Sequence, residues 1–425
     1  MKVDWLHIFS RMLLSRQIDG NELELVNRGG AFFHVSGAGH EATAALARHL
    51  TGADYLHCHY RDKALMLARG LAPVQFFGSL LCNADTPILK RRPRANHVIA
   101  ASAGPRLVGL SRIYAVEGNA AVTNKDLAAR FADMTPEGIL SRSGIERRSV
   151  VSNGQTALSM AVEAASKALR EEKLRLNDID LIICSTSTPP MISPSLACLI
   201  LHELALEHGE AEVQAYDVMA ACTGYLYALG IAWDHLQACP DSTVLVITAE
   251  EMSRAVDPHD FGTAILFGDA ATATVLHGPG RIEKAKAHLH RPVLSARGER
   301  GDVLRVPLAV DREFVHMDGK KVFTEAVRQM TTILERACRE SSIAVDDLDL
   351  IIPHQANGRI IEAVQARLKC APERVCNDVM NHGNTSSSTI PLALSKVLER
   401  PLPQRIGLCA FGAGFTFGAA IAEIP

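Results

Sequence analysis

The segment LRLNDIDLIICSTST, residues 174–188, returns in altered form as SIAVDDLDLIIPHQA at 342–356. Both copies hold an acidic turn followed by the apolar strand D-L-I-I. Each is preceded by a run with apolar residues at helical spacing, TALSMAVEAASKAL in the first and KVFTEAVRQMTTILERAC in the second. Each is followed by another helical run that starts with small and polar residues, ACTGYLYALGIAWDHL and NTSSSTIPLALSKVL, and then by apolar strands. A unit repeated in this order predicts a pseudo-duplicated α/β fold, with helices between and around mostly parallel strands. Equivalent positions of the two halves then meet near a pseudo-twofold axis, where a shared site can form.

The echo occupies the chain from about Pro105 onward, with halves at 105–280 and 281–425. Ahead of it, residues 1–95 read as a smaller, mainly helical segment, as in WLHIFSRMLL and KALMLARGLAPVQFFGSLL. The basic, proline-containing LKRRPRAN at 89–96 reads as a linker or solvated turn. A formal net charge of −3 gives no reason to expect nucleic acid. Apolar runs are interrupted well short of the roughly 20 residues of a membrane span. Ten cysteines without a C-x-x-C pair point to reduced thiols and a cytoplasmic protein. His57, Cys58 and His59 are adjacent, so their side chains diverge, and a structural role is expected rather than a metal site.

A free cysteine is most often a packed core residue. Cys222, in DVMAACTG, differs in standing just before a helical run, where the helix macrodipole favours thiolate. Ala220, Ala221 and Gly224 leave room for a substrate beside its sulfur. At the matching place in the second half stands Asn384, as a cap or as an inward donor. His354 directly follows the D-L-I-I strand, at the strand end where sites in α/β sheets are built. The glycine-rich AFGAGFTFG at 410–418 lacks the lysine of a P-loop and joins two strands. A backbone turn that offers N–H groups to an oxyanion fits it better than a phosphate cradle. GDAATATVL at 268–276 reads as a buried turn and strand.

From about residue 107 onward the chain resembles the 3-oxoacyl-acyl-carrier-protein synthase III family of thiolase-fold condensing enzymes. The resemblance is carried by SGIERR (143–148), DVMAACTG, FGDAA, MDGKKVF, PHQANGR, HGNTSSSTIP and FGAGFTFG, in that order. It implies a five-layered αβαβα fold with Cys222 as acyl-accepting nucleophile. His354 and Asn384 would donate hydrogen bonds to a malonyl thioester and stabilise the enolate left by decarboxylation. The N–H groups of Cys222 and Ala413 would form the oxyanion hole; Ala413 replaces a usual glycine, but only its backbone donor is needed. The resemblance also implies an acyl thioester on carrier protein or CoA, an acyl-carrier-protein partner, a homodimer and no cofactor. Arg142 and Arg359 match basic positions at the tunnel mouth and would meet a phosphopantetheine phosphate.

Three further positions depart from the family pattern. Gly138 and Phe261 stand where a tryptophan and an arginine often clamp the CoA adenine, so a carrier-protein donor or a differently bound CoA is expected. Ser193 stands where short-chain members carry a bulky aromatic, so a longer or branched acyl primer is expected. Residues 7 to 85 resemble instead the start of the alpha subunit of thiamine-diphosphate-dependent 2-oxoacid dehydrogenases, through RMLLSRQIDG, GAGHEAT and HYRDKALMLARG. There the Tyr-Arg pair, here Tyr60 and Arg61, contacts the diphosphate. The downstream metal-holding motif is missing, so thiamine binding is not expected, and a docking or structural cap is the preferred reading. Two alternatives to condensation are an acyltransferase that passes the acyl group to an alcohol or amine, and a non-catalytic partner subunit.

Overall fold

A computed structural model of the protein describes residues 106–425 apart from 132, 307–313 and 399–403, together with 10–15, 17, 18 and 67. The chain divides into two units, Met1–Gly104 and Pro105–Pro425. In the first, residues 10–15 are helical, overlapping the predicted WLHIFSRMLL run at 5–14. The readings at His57, Cys58, His59, Tyr60 and Arg61 lie outside the described residues.

The second unit contains the predicted echo. Its first half supplies strands β1 (Val108–Glu117), β2 (Leu181–Ser185), β3 (Gln214–Val218), β4 (Thr243–Glu251) and β5 (Asp269–His277). They lie in the order β3-β2-β4-β5-β1, with the first two pairings parallel and the next two antiparallel. The second half supplies β6 (Ala287–Leu289), β7 (Val293–Ala296), β8 (Leu350–Pro353), β9 (Arg405–Gly412) and β10 (Thr416–Glu423). Here β8 pairs parallel with β9, β9 antiparallel with β10, and β10 antiparallel with both β6 and β7. Where the first half has β3, the second has a single parallel bridge from Val375 to Ile351. Strands β1 and β6 pair antiparallel and join the halves.

The acidic turns explain why D-L-I-I recurs. Asp180 accepts the Thr243 N–H at 2.8 Å and donates its own N–H to Thr243 O at 2.9 Å. Asp349 makes the same pair with Arg405, at 2.9 Å and 3.0 Å. Each aspartate thus fixes the start of the parallel neighbour strand.

Six helices cover the strands: α1 (Ala157–Glu171), α2 (Leu196–His208), α3 (Gly224–Ala238), α4 (Gly319–Glu340), α5 (Gly358–Leu368) and α6 (Thr389–Val397). Alternate strand residues face opposite sides. Ile182, Cys184, Leu245 and Ile247 pack outward in one cluster with α1 and α2. Leu181, Ile183, Val244 and Val246 pack inward with Tyr225, Leu226 and Leu229 of α3. In the second half Cys409, Phe411, Phe417 and Ile421 face α4, while Ile406, Leu408 and Ala410 join Ile390 and Leu394 of α6 inside. Both strand faces are therefore apolar, which is why LIIC and VLVITA show no polar alternation. Helices α3 and α6 form the middle layer of five.

Each central helix begins with a short 3-10 turn, Ala221–Thr223 before α3 and Ser386–Ser388 before α6, and the two turns pack together. Both open on a left-handed residue, Ala221 at φ 47° and Ser386 at φ 52°. Cys222 and Ser387 are thus pseudo-equivalent, which corrects the expected match of Cys222 with Asn384: Asn384 stands ahead of the turn that Ser386 opens. Gly224 allows the close approach: a Cβ there would lie 1.9 Å from Ser185 Oγ and 3.2 Å from the Ser387 Cβ. Gly224→Ala is expected to cost about 1–3 kcal/mol through overpacking. A chemical-denaturation midpoint equal to that of the wild type would refute the close packing inferred at this contact.

Candidate active site

Cys222 is half-buried, with Sγ donating to Ser386 Oγ across 3.8 Å. The dipole of α3 favours thiolate, but burial acts in the opposite direction and pushes the thiol up to about 12. The resting sulfur is therefore protonated, and attack on a thioester requires a proton acceptor. The expectation that the helix terminus supplies a thiolate is revised by this desolvation cost.

The turn between β9 and β10 closes over the nucleophile from the second half. Thr223 Oγ1 lies 2.6 Å from Ala220 O and 2.8 Å from Thr416 Oγ1, which lies 3.0 Å from Ala413 O. A Cβ on Gly412 would sit 3.0 Å from the Cys222 N and 3.1 Å from the Thr223 N. The lack of a side chain at Gly412 leaves the Cys222 amide open, one residue from Ala413.

His354 stands at the end of β8, fixed by its N–H to Cys409 O at 2.7 Å. Its ring is buried, and desolvation brings its pKa down from 6.5 to about 3, so the imidazole is neutral. Nδ1 lies 2.6 Å from Thr389 Oγ1, which also lies 3.0 Å from Ser386 O. One hydroxyl serves either tautomer here. Donating to Ser386 O, it accepts Nδ1–H; donating to Nδ1, it leaves the proton on Nε2.

Asn384 is pinned to the first half through its N–H to Leu266 O at 2.8 Å and by the Gly268 N–H to its carbonyl at 3.0 Å. Its Oδ1 accepts the Ser386 N–H at 2.9 Å. That bond fixes the amide orientation and makes Nδ2 the donor end. The cap and donor readings of Asn384 thus describe opposite ends of one amide. The FGDAA motif serves this placement: Asp269 accepts from Ser253 N at 2.8 Å, Ser253 Oγ at 2.6 Å and Val151 N at 2.9 Å. Upstream of Asn384, His382 is bonded to Glu117 of β1 and lies 3.4 Å from Asp378, which Lys396 of α6 contacts at 2.7 Å.

Sequence reasoning missed Glu250, at the end of β4. This fully buried carboxylate accepts from Ser387 Oγ at 2.6 Å, Ser187 N at 3.0 Å, Thr188 Oγ1 at 3.2 Å and Ser387 N at 3.4 Å. Burial raises its pKa, and the Ser387 hydroxyl and the Ser187 N–H draw it back. Hydrogen bonds to a charged group are worth about 1.5–3 kcal/mol each, comparable together with the several kcal/mol cost of burying an ion. The hydroxyl-rich STST and TSSST segments were the available signal.

The remaining predicted residues lie at the surface. The backbones of Gly144, which caps the helix Pro136–Ser143, and of Gly358, which opens α5, touch: a Cβ on Gly358 would lie 3.1 Å from the Gly144 Cα. That contact brings Arg142 and Arg359, both exposed, to one rim. Arg142 lies over the Phe261 ring at 5.4 Å, and Phe131 meets that ring edge-on at 5.2 Å. Gly138 offers no stacking group on the same helix. Ser193 is exposed beside Met191 and Ile192 in the loop ahead of α2.

The neutral His354 gives a direct expectation. Its ring stays uncharged from about pH 5 to 9, because its pKa lies below that window, at about 3. Its NMR titration should show no protonation step near 6.5, the ordinary histidine value. A step there would contradict the burial described.

Comparison with known proteins agrees with this architecture. Residues 216–291 match the family model for 3-oxoacyl-[acyl-carrier-protein] synthase III, and residues 338–424 match the model for its C-terminal part. A beta-ketoacyl-[acyl-carrier-protein] synthase III from Oleidesulfovibrio alaskensis is 36% identical over 316 residues, covering 71% of this chain and 94% of that protein. One from Nitratidesulfovibrio vulgaris is 39% identical over 314 residues, with 71% and 94% covered. The crystal structure of 3-oxoacyl-[acyl-carrier-protein] synthase III from Aquifex aeolicus superposes with a TM-score of 0.69 at 34% identity, covering 74% of this chain and 99% of that one. With its thiolase-like fold and this degree of identity, the chain belongs to the 3-oxoacyl-[acyl-carrier-protein] synthase III family of acyl-transferring condensing enzymes.

Proposed function

We propose that Cys222 accepts an acyl group from a thioester and that a malonyl thioester, bound by His354 and Asn384, then attacks it with loss of carbon dioxide. The observation that carries this reading is the pairing of a neutral imidazole with an amide whose oxygen is already engaged by Ser386 N. Asn384 Nδ2–H and, in the Nε2–H tautomer, His354 then donate to the thioester oxygen as enolate charge develops. The tetrahedral adduct at the acyl carbon takes hydrogen bonds from the Cys222 and Ala413 N–H groups. A carboxylate in place of Asn384 would suit transfer to an alcohol or amine, and the amide here favours condensation.

The acyl donor is a carrier protein, with Arg142 and Arg359 meeting the phosphopantetheine phosphate. Phe261 supports this choice, because Arg142 and Phe131 already occupy its ring. Ser193 leaves space for a primer of six or more carbons, or a branched one. The active form is a cytoplasmic homodimer assembled through β3. Asp217 of β3 accepts the Leu196 and Ala197 N–H groups at 2.7 Å and 2.8 Å, which holds the loop with Met191 and Ile192 beside the strand. Ile192 is 78% exposed and Met219, at the strand's end, 67%, an apolar edge suited to a second copy. Among the described residues, no helix is long and apolar enough to cross a membrane. Residues 1–95 serve as a docking or structural cap related to the dehydrogenase alpha subunit.

Intact-mass detection of acyl-Cys222, followed by carbon dioxide release on adding malonyl-carrier protein, tests the reaction. Asn384→Ala is expected to acylate normally and lose about 100-fold or more in decarboxylation. Cys222→Ala should show no acylation at that peptide. Decarboxylation by Asn384→Ala at the wild-type rate would remove the donor role. An acetyl primer used more efficiently than all chains of six or more carbons would remove the chain-length reading.

A further inference from the structure

The proposed decarboxylation asks two donors on different elements, His354 and Asn384, to meet one thioester oxygen, so their spacing has to be fixed. His354 ends a strand, but Asn384 lies between two 3-10 turns, Val379–Asn381 and Ser386–Ser388. The backbone ahead of Asn384 is tied to the first half: Glu146 N donates to Met380 O at 2.9 Å and Ser149 N to His382 O at 3.2 Å. The His382 side chain closes a ring with the same partner. Ser149 Oγ donates to Glu117 Oε2 at 2.7 Å, and that oxygen also bonds His382 Nδ1. Burial works to raise the Glu117 carboxyl, but these bonds bring it below its ordinary value. It is ionised and only accepts, so Nδ1 carries the proton. Ser149 and Glu117 thus hold both the peptide and the ring of His382. The step from there to Asn384 is short. Only Gly383 intervenes, packed so closely that a Cβ on it would lie 2.8 Å from Leu266 O.

The other ring nitrogen faces the element that carries His354. Nε2 meets Lys396 Nζ and lies 3.4 Å from Asp378 Oδ2, and Lys396 Nζ bonds that same oxygen at 2.7 Å. The ring therefore has a partner on this side with or without a proton on Nε2. Asp378 N donates to Gln355 Oε1 at 2.7 Å, and Gln355 Nε2 donates to Pro353 O at 2.6 Å. Gln355 is the chain neighbour of His354. An unbroken run of bonds thus leads from the end of β8 to the residue two positions before Asn384. We propose that His382 is a positioning residue for Asn384, and that through Lys396, Asp378 and Gln355 it sets the spacing of the two enolate donors. This inference rests on His354 and Asn384 being that donor pair. His382 acts through Asn384 and is not itself a donor to the thioester.

The test separates the two half-reactions in the full-length protein, with a hexanoyl thioester as acyl donor and a malonyl thioester as second substrate. In His382→Ala, kcat for carbon dioxide release from acylated enzyme is expected to fall about 10-fold or more, with KM for the malonyl thioester within about threefold of wild type. Acylation of Cys222 should change less than about twofold. His382→Asn, whose amide N–H can stand in for Nδ1–H, should recover most of the lost rate. Because His382 acts through Asn384, adding His382→Ala to Asn384→Ala should slow that variant by less than about twofold. Lys396→Met removes the cation from a side chain 36% exposed and keeps the apolar stem. It is expected to lower the same kcat about threefold or more, and it carries the same comparison if His382→Ala fails to fold. An unchanged kcat in the variants that fold, equal losses in both half-reactions, or losses that add to that of Asn384→Ala overturns the positioning role. Carbon dioxide release by Asn384→Ala at the wild-type rate overturns the donor reading beneath it, a separate and recognisable result.

Discussion

The two turns that precede the central helices depend on being able to touch, and the rest of the site follows from that contact. Gly224 at the head of α3 lies against Ser185 and Ser387, where a single added carbon would collide. Because the turns meet, the sulfur of one half comes within hydrogen-bonding range of the Ser386 hydroxyl of the other. The same meeting allows Ser387 to bond the carboxylate of Glu250 across the interface between halves. A polar cluster this deep is costly unless all its members are satisfied, which ties catalytic geometry to the packing of the middle layer.

Cys222 and His354 are kept uncharged by burial rather than by pairing, whereas the Glu250 carboxylate is held by hydrogen-bond donors. His354 is neutral because its protonated form is poorly solvated, and Cys222 is a thiol for the corresponding reason. Apart from Glu250, the charged groups nearby stand at the periphery, where His382 sits among Glu117, Asp378 and Lys396. An enolate formed between His354 and Asn384 would thus encounter dipoles already in place, with little reorganisation required.

Much of this was legible in the chain. The D-L-I-I echo predicted two equivalent halves because the same aspartate performs the same task in each, at Asp180 and at Asp349. Cys222, His354 and Asn384 stood out because each occupies the head of a helix or the end of a strand. Other features were hidden for physical reasons. Glu250 follows a continuous apolar strand and resembles an ordinary surface acid until three-dimensional packing buries it. The thiol's raised pKa depends on the volume of protein around it, which no local pattern encodes. The mutual occupation of Arg142 and Phe261 likewise joins residues more than a hundred positions apart.

The pseudo-symmetry is incomplete in one respect that bears on assembly. Among the described residues, one end of the ten-stranded sheet is a true strand, β3, that pairs on one side only. At the other end the matching position has shrunk to the single bridge at Val375. A sheet with two sticky ends can grow by addition at both, as fibrils do. In the proposed dimer, with one end blunted, pairing through β3 would consume the template it relies on, and growth would terminate at a pair. In that proposed assembly the imperfection in the repeat would act as a chain stopper.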